Sequence, residues 1–138
     1  MAKKIRANAF NTGVAAEYFI LSQLYRMGIE AYISQGNKKA IDIRIIQEDG
    51  RAIFLDVKAV RGYSSLVVNN VIPKENHYIV FVIYNDNFEA IEFFPEIYIV
   101  PSKELKKITN NYKKEKRVLK GNLQKNSYKN NWNFLFGL

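Results

Sequence analysis

The sequence predicts a mixed α/β domain in which helices cover a β-sheet. Three features of its 138 residues carry that expectation. Residues 11–28, NTGVAAEYFILSQLYRMG, place apolar side chains at helical spacing. IDIRII (41–46) alternates apolar and polar positions as a half-buried strand does, and YIVFVIY (78–84) is an apolar run of strand length. That run is far too short to span a membrane.

Asn11 or Thr12 is the expected N-cap of the first helix, and Gly28 its end. IEAYIS (29–34) follows as a strand, then the polar loop QGNKKA, the strand Ile41 to Ile46, turn residues QEDG and a strand over Arg51 to Val60. Residues 61–76 read two ways: SLVVNNVI looks extended, and a short helix is the other reading. Further strands are expected over Tyr78 to Tyr84 and Glu96 to Val100, and PSKELKKITNNY opens a helix at Pro101 or Ser102. The tail beyond is basic, partly helical, and ends in an aromatic cluster at Trp132, Phe134 and Phe136. With no internal repeat or low-complexity linker, residues 1–138 read as one domain with a basic C-terminal segment from about 101.

Composition removes several classes of chemistry. No cysteine is present, which excludes thiolate metal sites, thiol catalysis and disulfides. His77 is the only histidine, so a zinc site of the usual kind is not expected, and a strand-edge position suits it better. No G-x-x-x-x-G-K-[ST] stretch points to nucleotide hydrolysis. The start, MAKKIRANAF, is basic but lacks the apolar core of a secretory signal, so a cytoplasmic protein with no membrane partner is expected. The net charge of +8 is placed unevenly. Residues 1–100 balance 11 basic against 11 acidic groups, while residues 101–138 carry 10 basic groups against Glu104 and Glu115. A basic segment on a neutral body suits a polyanion, with Lys113, Lys114, Lys116, Arg117 and Lys120 as the phosphate-contacting candidates. A biased genome composition would also enrich lysine, but it would do so uniformly.

In AIFLDVKAV (52–60), Asp56 and Lys58 sit two apart and so share one face of their strand. Aligning Ile43 and Ile45 with Ile53 and Leu55 on one face of a hairpin requires the three-residue loop Glu48-Asp49-Gly50. That register pairs Ile43 with Leu55 and Ile41 with Val57, and sets Asp42 across from Asp56. Two carboxylates in that relation have Cβ atoms ~4.5–5.5 Å apart and repel. A divalent cation between them would reverse the sign. A solvated polar face formed by Asp42, Arg44, Asp56 and Lys58 is the other reading. On the first helix, Glu17 falls in a stripe with Val14, Leu21 and Leu24, where a carboxylate is costly unless compensated. A metal or its waters would compensate it, and so would the helix dipole at the N-terminus.

Glu17 on a helix, then Ile41-Asp42, then Asp56-Val57-Lys58, resembles the core of the PD-(D/E)XK nuclease superfamily, which includes restriction endonucleases, homing endonucleases and archaeal Holliday junction resolvases. Ile41 stands where that pattern has proline, Asp56 where it more often has glutamate, and the helix usual after the lysine strand is not evident in 61–76. The resemblance implies a restriction-endonuclease-like core: a central mixed β-sheet flanked by helices, with an N-terminal helix followed by a β-meander. It implies that Asp42, Asp56 and the carbonyl of Val57 hold one or two Mg²⁺ (or Mn²⁺) ions, with Glu17 completing the shell. Lys58 would orient the attacking water or stabilise phosphoryl charge. The expected activity is metal-dependent hydrolysis of DNA phosphodiester bonds, site-specific as in homing or restriction enzymes. A Holliday junction resolvase is the alternative, and a catalytically silent nucleic-acid-binding module the alternative of another class. Cutting two strands with one site per chain implies a homodimer or a dimer of dimers, with Trp132 to Leu138 as a candidate interface.

Overall fold

The computed structural model describes residues 9–34, 42–69 and 71–136. The expected loop 35–40, Ile41 with its pairing to Val57, and Leu138 of the proposed interface lie outside the described residues.

Helix α1 runs Ala9–Arg26. It therefore begins before the expected caps, and Asn11 and Thr12 lie within its first turns. Thr12 is buried, and its hydroxyl accepts a tertiary hydrogen bond from Arg61 Nε–H (2.8 Å). The fully buried ridge is Ala16, Ile20 and Leu24 at i, i+4 spacing. Val14, Glu17 and Leu21 form the half-buried flank beside it, so Glu17 sits at the edge of the apolar face and not within it. At the other end the expected glycine stop is realised. Gly28 has φ +78°, Ile29 N–H donates to the Leu24 carbonyl (2.9 Å), and Gly28 N–H to that of Tyr25 (3.0 Å).

Strands β1 (Ala31–Ile33), β2 (Ile43–Ile46) and β3 (Ala52–Val60) form an antiparallel meander. The chain then passes through the short strand β4 (Ser65–Val67) to β5 (His77–Ile83), which pairs with β3 in parallel, and β6 (Glu96–Pro101), antiparallel to β5. The result is a five-stranded mixed sheet in the order β1-β2-β3-β5-β6. Among the described residues of 61–76 the chain is extended, not helical.

The expected helix after Pro101 is cut short. A 3-10 turn (Ser102–Glu104) leads into α2 (Leu105–Ile108), a single turn that buries Leu105 and Ile108. The Thr109 hydroxyl donates to the Leu105 carbonyl (2.6 Å), and the chain leaves as β7 (Thr109–Asn111). After a turn at Lys113 and Lys114, β8 (Lys116–Leu119) pairs with both β7 and β4 to make a second, three-stranded sheet. Helix α3 (Lys120–Gln124) and a 3-10 turn (Trp132–Leu135) complete the fold.

The main sheet buries its two faces differently. Ile43, Ile45, Ile53, Leu55, Val57, Val80, Val82, Ile97 and Ile99 pack beneath α1. On the other face Ile79, Phe81, Ile83, Tyr98 and Val100 pack against Leu66 of β4, Val118 of β8 and the short helices. That second cover protects the β5–β6 half, so Arg44 stays exposed and Phe54, Asp56 and Lys58 only half-buried on the β2–β3 half. The aromatic end docks on the chain's own core. Leu135 is buried beneath α1 with Trp132 and Phe134 beside it, and Phe134 stacks on Tyr78 with centroids 5.7 Å apart. Leu135 is therefore withdrawn from the expected subunit interface, while Trp132 and Phe134 stay half-buried and Phe136 is exposed. Among the described residues no helix is long and apolar enough to cross a membrane.

Candidate active site

The β2–β3 hairpin sets the geometry. Gln47 N–H donates to the Arg51 carbonyl (2.8 Å) and Gly50 N–H to that of Gln47 (2.9 Å), leaving Glu48-Asp49-Gly50 as a three-residue loop. Gly50 takes φ +88°, a conformation that other residues adopt at a cost. The register pairs Ile43 with Leu55, Arg44 with Phe54, Ile45 with Ile53 and Ile46 with Ala52. The ladder continues one step further, with Asp42 N–H donating to the Leu55 carbonyl (3.1 Å).

At that point a side chain replaces the backbone. The Asp42 carboxylate, through Oδ2, accepts the Val57 N–H at 2.7 Å. This bond holds Asp42 against the middle of β3, beside Asp56. Lys58 Nζ lies 3.7 Å from Asp56 Oδ1, an ion pair in which the carboxylate side chain is 14% and the ammonium side chain 30% exposed. Burial pushes the Asp56 pKa up to about 7; the charge of Lys58 opposes this, and the neighbouring Asp42 carboxyl adds to it. One ammonium thus leaves the pair of carboxylates electrostatically unsatisfied.

Glu17 reaches this group from α1, on the opposite face. Burial raises its pKa, and the charge on Asp42 raises it further. Among the described residues, however, no three carboxylates or histidines gather tightly enough to hold a metal by themselves. The structure brings Asp42, Asp56 and Lys58 together and leaves Glu17 at one remove, coupled through Asp42. On the same face Arg44 lies over the Phe54 ring, 5.4 Å from its centroid. A groove of about 700 Å³ lies at the far end of the hairpin and is lined by Glu30, Glu48, Asp49 and Arg51, away from these residues.

The basic candidates divide. Lys113, Lys114 and Lys116 are exposed on the β7–β8 hairpin. Arg117 pairs with Glu115 (2.8 Å) and donates to Ser65 Oγ (2.8 Å). Lys120 pairs with Glu96 (3.3 Å) and donates to Asn85 Oδ1 (2.8 Å). These last two are committed to internal partners. His77 opens an interior strand and is buried, and among the described residues neither ring nitrogen has a hydrogen-bond partner. Burial, then the charge of Lys74, lowers its pKa. The strand thus starts one residue before the expected Tyr78, and the alternation of His77 with Ile79 and Phe81 is the sequence signal for it.

No protein-family model and no curated protein matches the sequence. Solved structures do. The fold is similar to that of a bacterial homing endonuclease, I-Ssp6803I, with a TM-score of 0.59 and 12% identity over 93% of this chain and 92% of that one. It is also similar to Archaeoglobus fulgidus Hjc, a Holliday junction resolvase from an archaeal hyperthermophile, with a TM-score of 0.55 and 13% identity over 84% of this chain and 90% of that one. The chain has a restriction-endonuclease-like fold.

Proposed function

We propose that this protein is a metal-dependent DNA endonuclease whose site is Asp42, Asp56 and Lys58, with Glu17 in support. The observation that carries the reading is the meeting of two carboxylates and a lysine on the uncovered half of the sheet, in a fold shared with two nucleases.

The donor set fits a hard cation. Asp42 and Asp56 are adjacent oxygen donors that repel without one, and Val57, whose carbonyl is the third candidate donor, directly follows Asp56 in sequence. Mg²⁺ commonly takes only one or two carboxylates and keeps several waters, so Glu17 can act through water. A bound divalent cation supplies charge neutralisation at the scissile phosphate and a water of lowered pKa. The chain's own residues do the rest. Asp42 spends one oxygen on Val57 N–H, which fixes the direction of the other. Asp56 gives up its proton as the site fills. Lys58 holds its ammonium beside the carboxylates, where it can orient the attacking water or donate to a phosphoryl oxygen.

Site-specific cleavage of the homing or restriction type is the leading form of this activity, and the likeness to Hjc supports junction resolution as the second. With one site per chain, we infer a homodimer or a dimer of dimers. The exposed lysines of the β7–β8 hairpin are the favoured phosphate contacts. The test is purified protein on linear duplex, four-way junction and single strand, with and without Mg²⁺. Cleavage of duplex or junction only with Mg²⁺ is expected. Binding without cleavage of any substrate would instead favour the silent binding module.

A further inference from the structure

Arg61 follows the last residue of β3 and joins three separate pieces of chain. Its Nε–H donates to Oγ1 of Thr12 at 2.8 Å, and Thr12 is buried in the first turns of α1, five residues before Glu17. Its guanidinium lies 4.0 Å from the centroid of the Phe88 ring, in the β5–β6 connection. Its carbonyl accepts the Asp86 N–H (2.7 Å), and the next carbonyl, of Gly62, accepts that of Asn85 (3.0 Å). Asn85 and Asp86, at φ +52° and +62°, form a tight turn closed by Asn87 N–H to the Tyr84 carbonyl (2.9 Å). The Asn85 side chain is in turn held by Glu96 and Lys120. The floor beneath Arg61 is therefore itself braced.

Among the described residues no carboxylate forms an ion pair with Arg61. What its contacts fix is a plane and a position. At its C-terminal end α1 is joined to the sheet by chain, through Gly28 and β1, and it packs by its buried ridge of Ala16, Ile20 and Leu24 with Phe19 and Leu21 beside it. Thr12 and Glu17 are ~7.5 Å apart along the helix axis. A shift at Thr12 is thus carried to Glu17 as a rigid displacement.

We propose that Arg61 is a positioning residue for the nuclease site, clamping the first turns of α1 to the end of β3 so that Glu17 stands in place beside Asp42. The inference rests on the nuclease reading above. Misplacing a supporting group by ~1 Å costs up to ~10²-fold in rate. Arg61→Lys keeps the charge but loses the planar fork and its stacking on Phe88. Thr12→Val keeps the shape and removes the hydroxyl, and with it the acceptor for Arg61.

The experiment measures kcat, KM for duplex DNA, calorimetric Mg²⁺ binding and melting temperature for the parent, Arg61→Lys, Thr12→Val, Glu17→Gln and each pair with Glu17→Gln. Arg61→Lys should lower kcat ~10–100-fold with KM little changed, and weaken Mg²⁺ binding as Glu17→Gln does. In the Glu17→Gln background Arg61→Lys should cost nothing further in Mg²⁺ affinity or kcat. Thr12→Val should follow the same pattern more weakly, and carries the test if Arg61→Lys does not fold. Equal losses with Glu17 present or absent, or a lower melting temperature with unchanged Mg²⁺ binding, would overturn the proposal. A parent that fails to cut would instead overturn the nuclease reading.

Discussion

Asp56 is where the free protein holds its electrostatic tension. Burial and the Asp42 carboxyl push its pKa up to about 7, and Lys58 pulls it back only in part. The unfolded value is about 3.9. Between these two values the folded protein binds a proton that the unfolded chain has lost, so stability falls as pH rises from about 4 to 7. Asp56→Asn removes the ionisation, and should raise stability at pH 8 by ~1–2 kcal/mol while leaving it unchanged near pH 4. Melting curves of the two proteins at both pH values check this, and a pH-independent difference would contradict it. The same proton competes with a cation, so Mg²⁺ affinity should climb with pH up to about 7 and then level. The adjacency of Asp56 and Lys58 was legible because a strand's period is two. The bond from Val57 N–H to Asp42 was not, because a side chain's choice between a face and an open ladder position leaves no mark in the sequence.

The hairpin is the element in which the sequence and the fold agree most closely. Two apolar rows must share one face, and only a three-residue loop with Gly50 at positive φ gives that parity. The basic segment was legible in charge and opaque in structure. Thr109-Asn110-Asn111 shows no apolar alternation, and becomes a strand only because β8 pairs with it. A run of lysines likewise does not reveal which of them meet carboxylates. That distinction makes a prediction for the β7–β8 hairpin. Neutralising Lys113, Lys114 and Lys116 should flatten the log–log salt dependence of DNA binding by ~0.9 each with little change in melting temperature. Arg117→Gln and Lys120→Gln should do the opposite, lowering the melting temperature and leaving the slope nearly intact. Equal slopes for all five variants would remove the hairpin from the DNA interface. The start of α1 is opaque for a related reason: a threonine that suits an N-cap by type lies inside the helix and accepts from Arg61.

For the whole molecule, α1 and the second sheet cover the main sheet from opposite sides and leave one half-face open, and that half-face carries the acidic pair and Lys58. The likeness of fold to two nucleases covers 93% and 84% of the chain, so it extends well beyond the few residues of the motif. The aromatic end, by contrast, was an ambiguous signal: an apolar terminus can cover a core or a partner, and Trp132, Phe134 and Leu135 cover the core. That leaves the exposed Phe136 as the apolar part of this end still open to a partner, and sedimentation at micromolar concentration with duplex DNA should give two chains or four per complex. A single chain would count against two-strand cleavage. The central claim, that the β3 carboxylate and lysine do separate chemical work, meets its most direct test in Lys58→Ala beside Asp56→Asn. Mg²⁺ binding by calorimetry and nicking of duplex DNA should part company: Asp56→Asn loses both, while Lys58→Ala keeps the metal and loses cleavage. Lys58→Ala cutting DNA at the parent's rate would contradict the account.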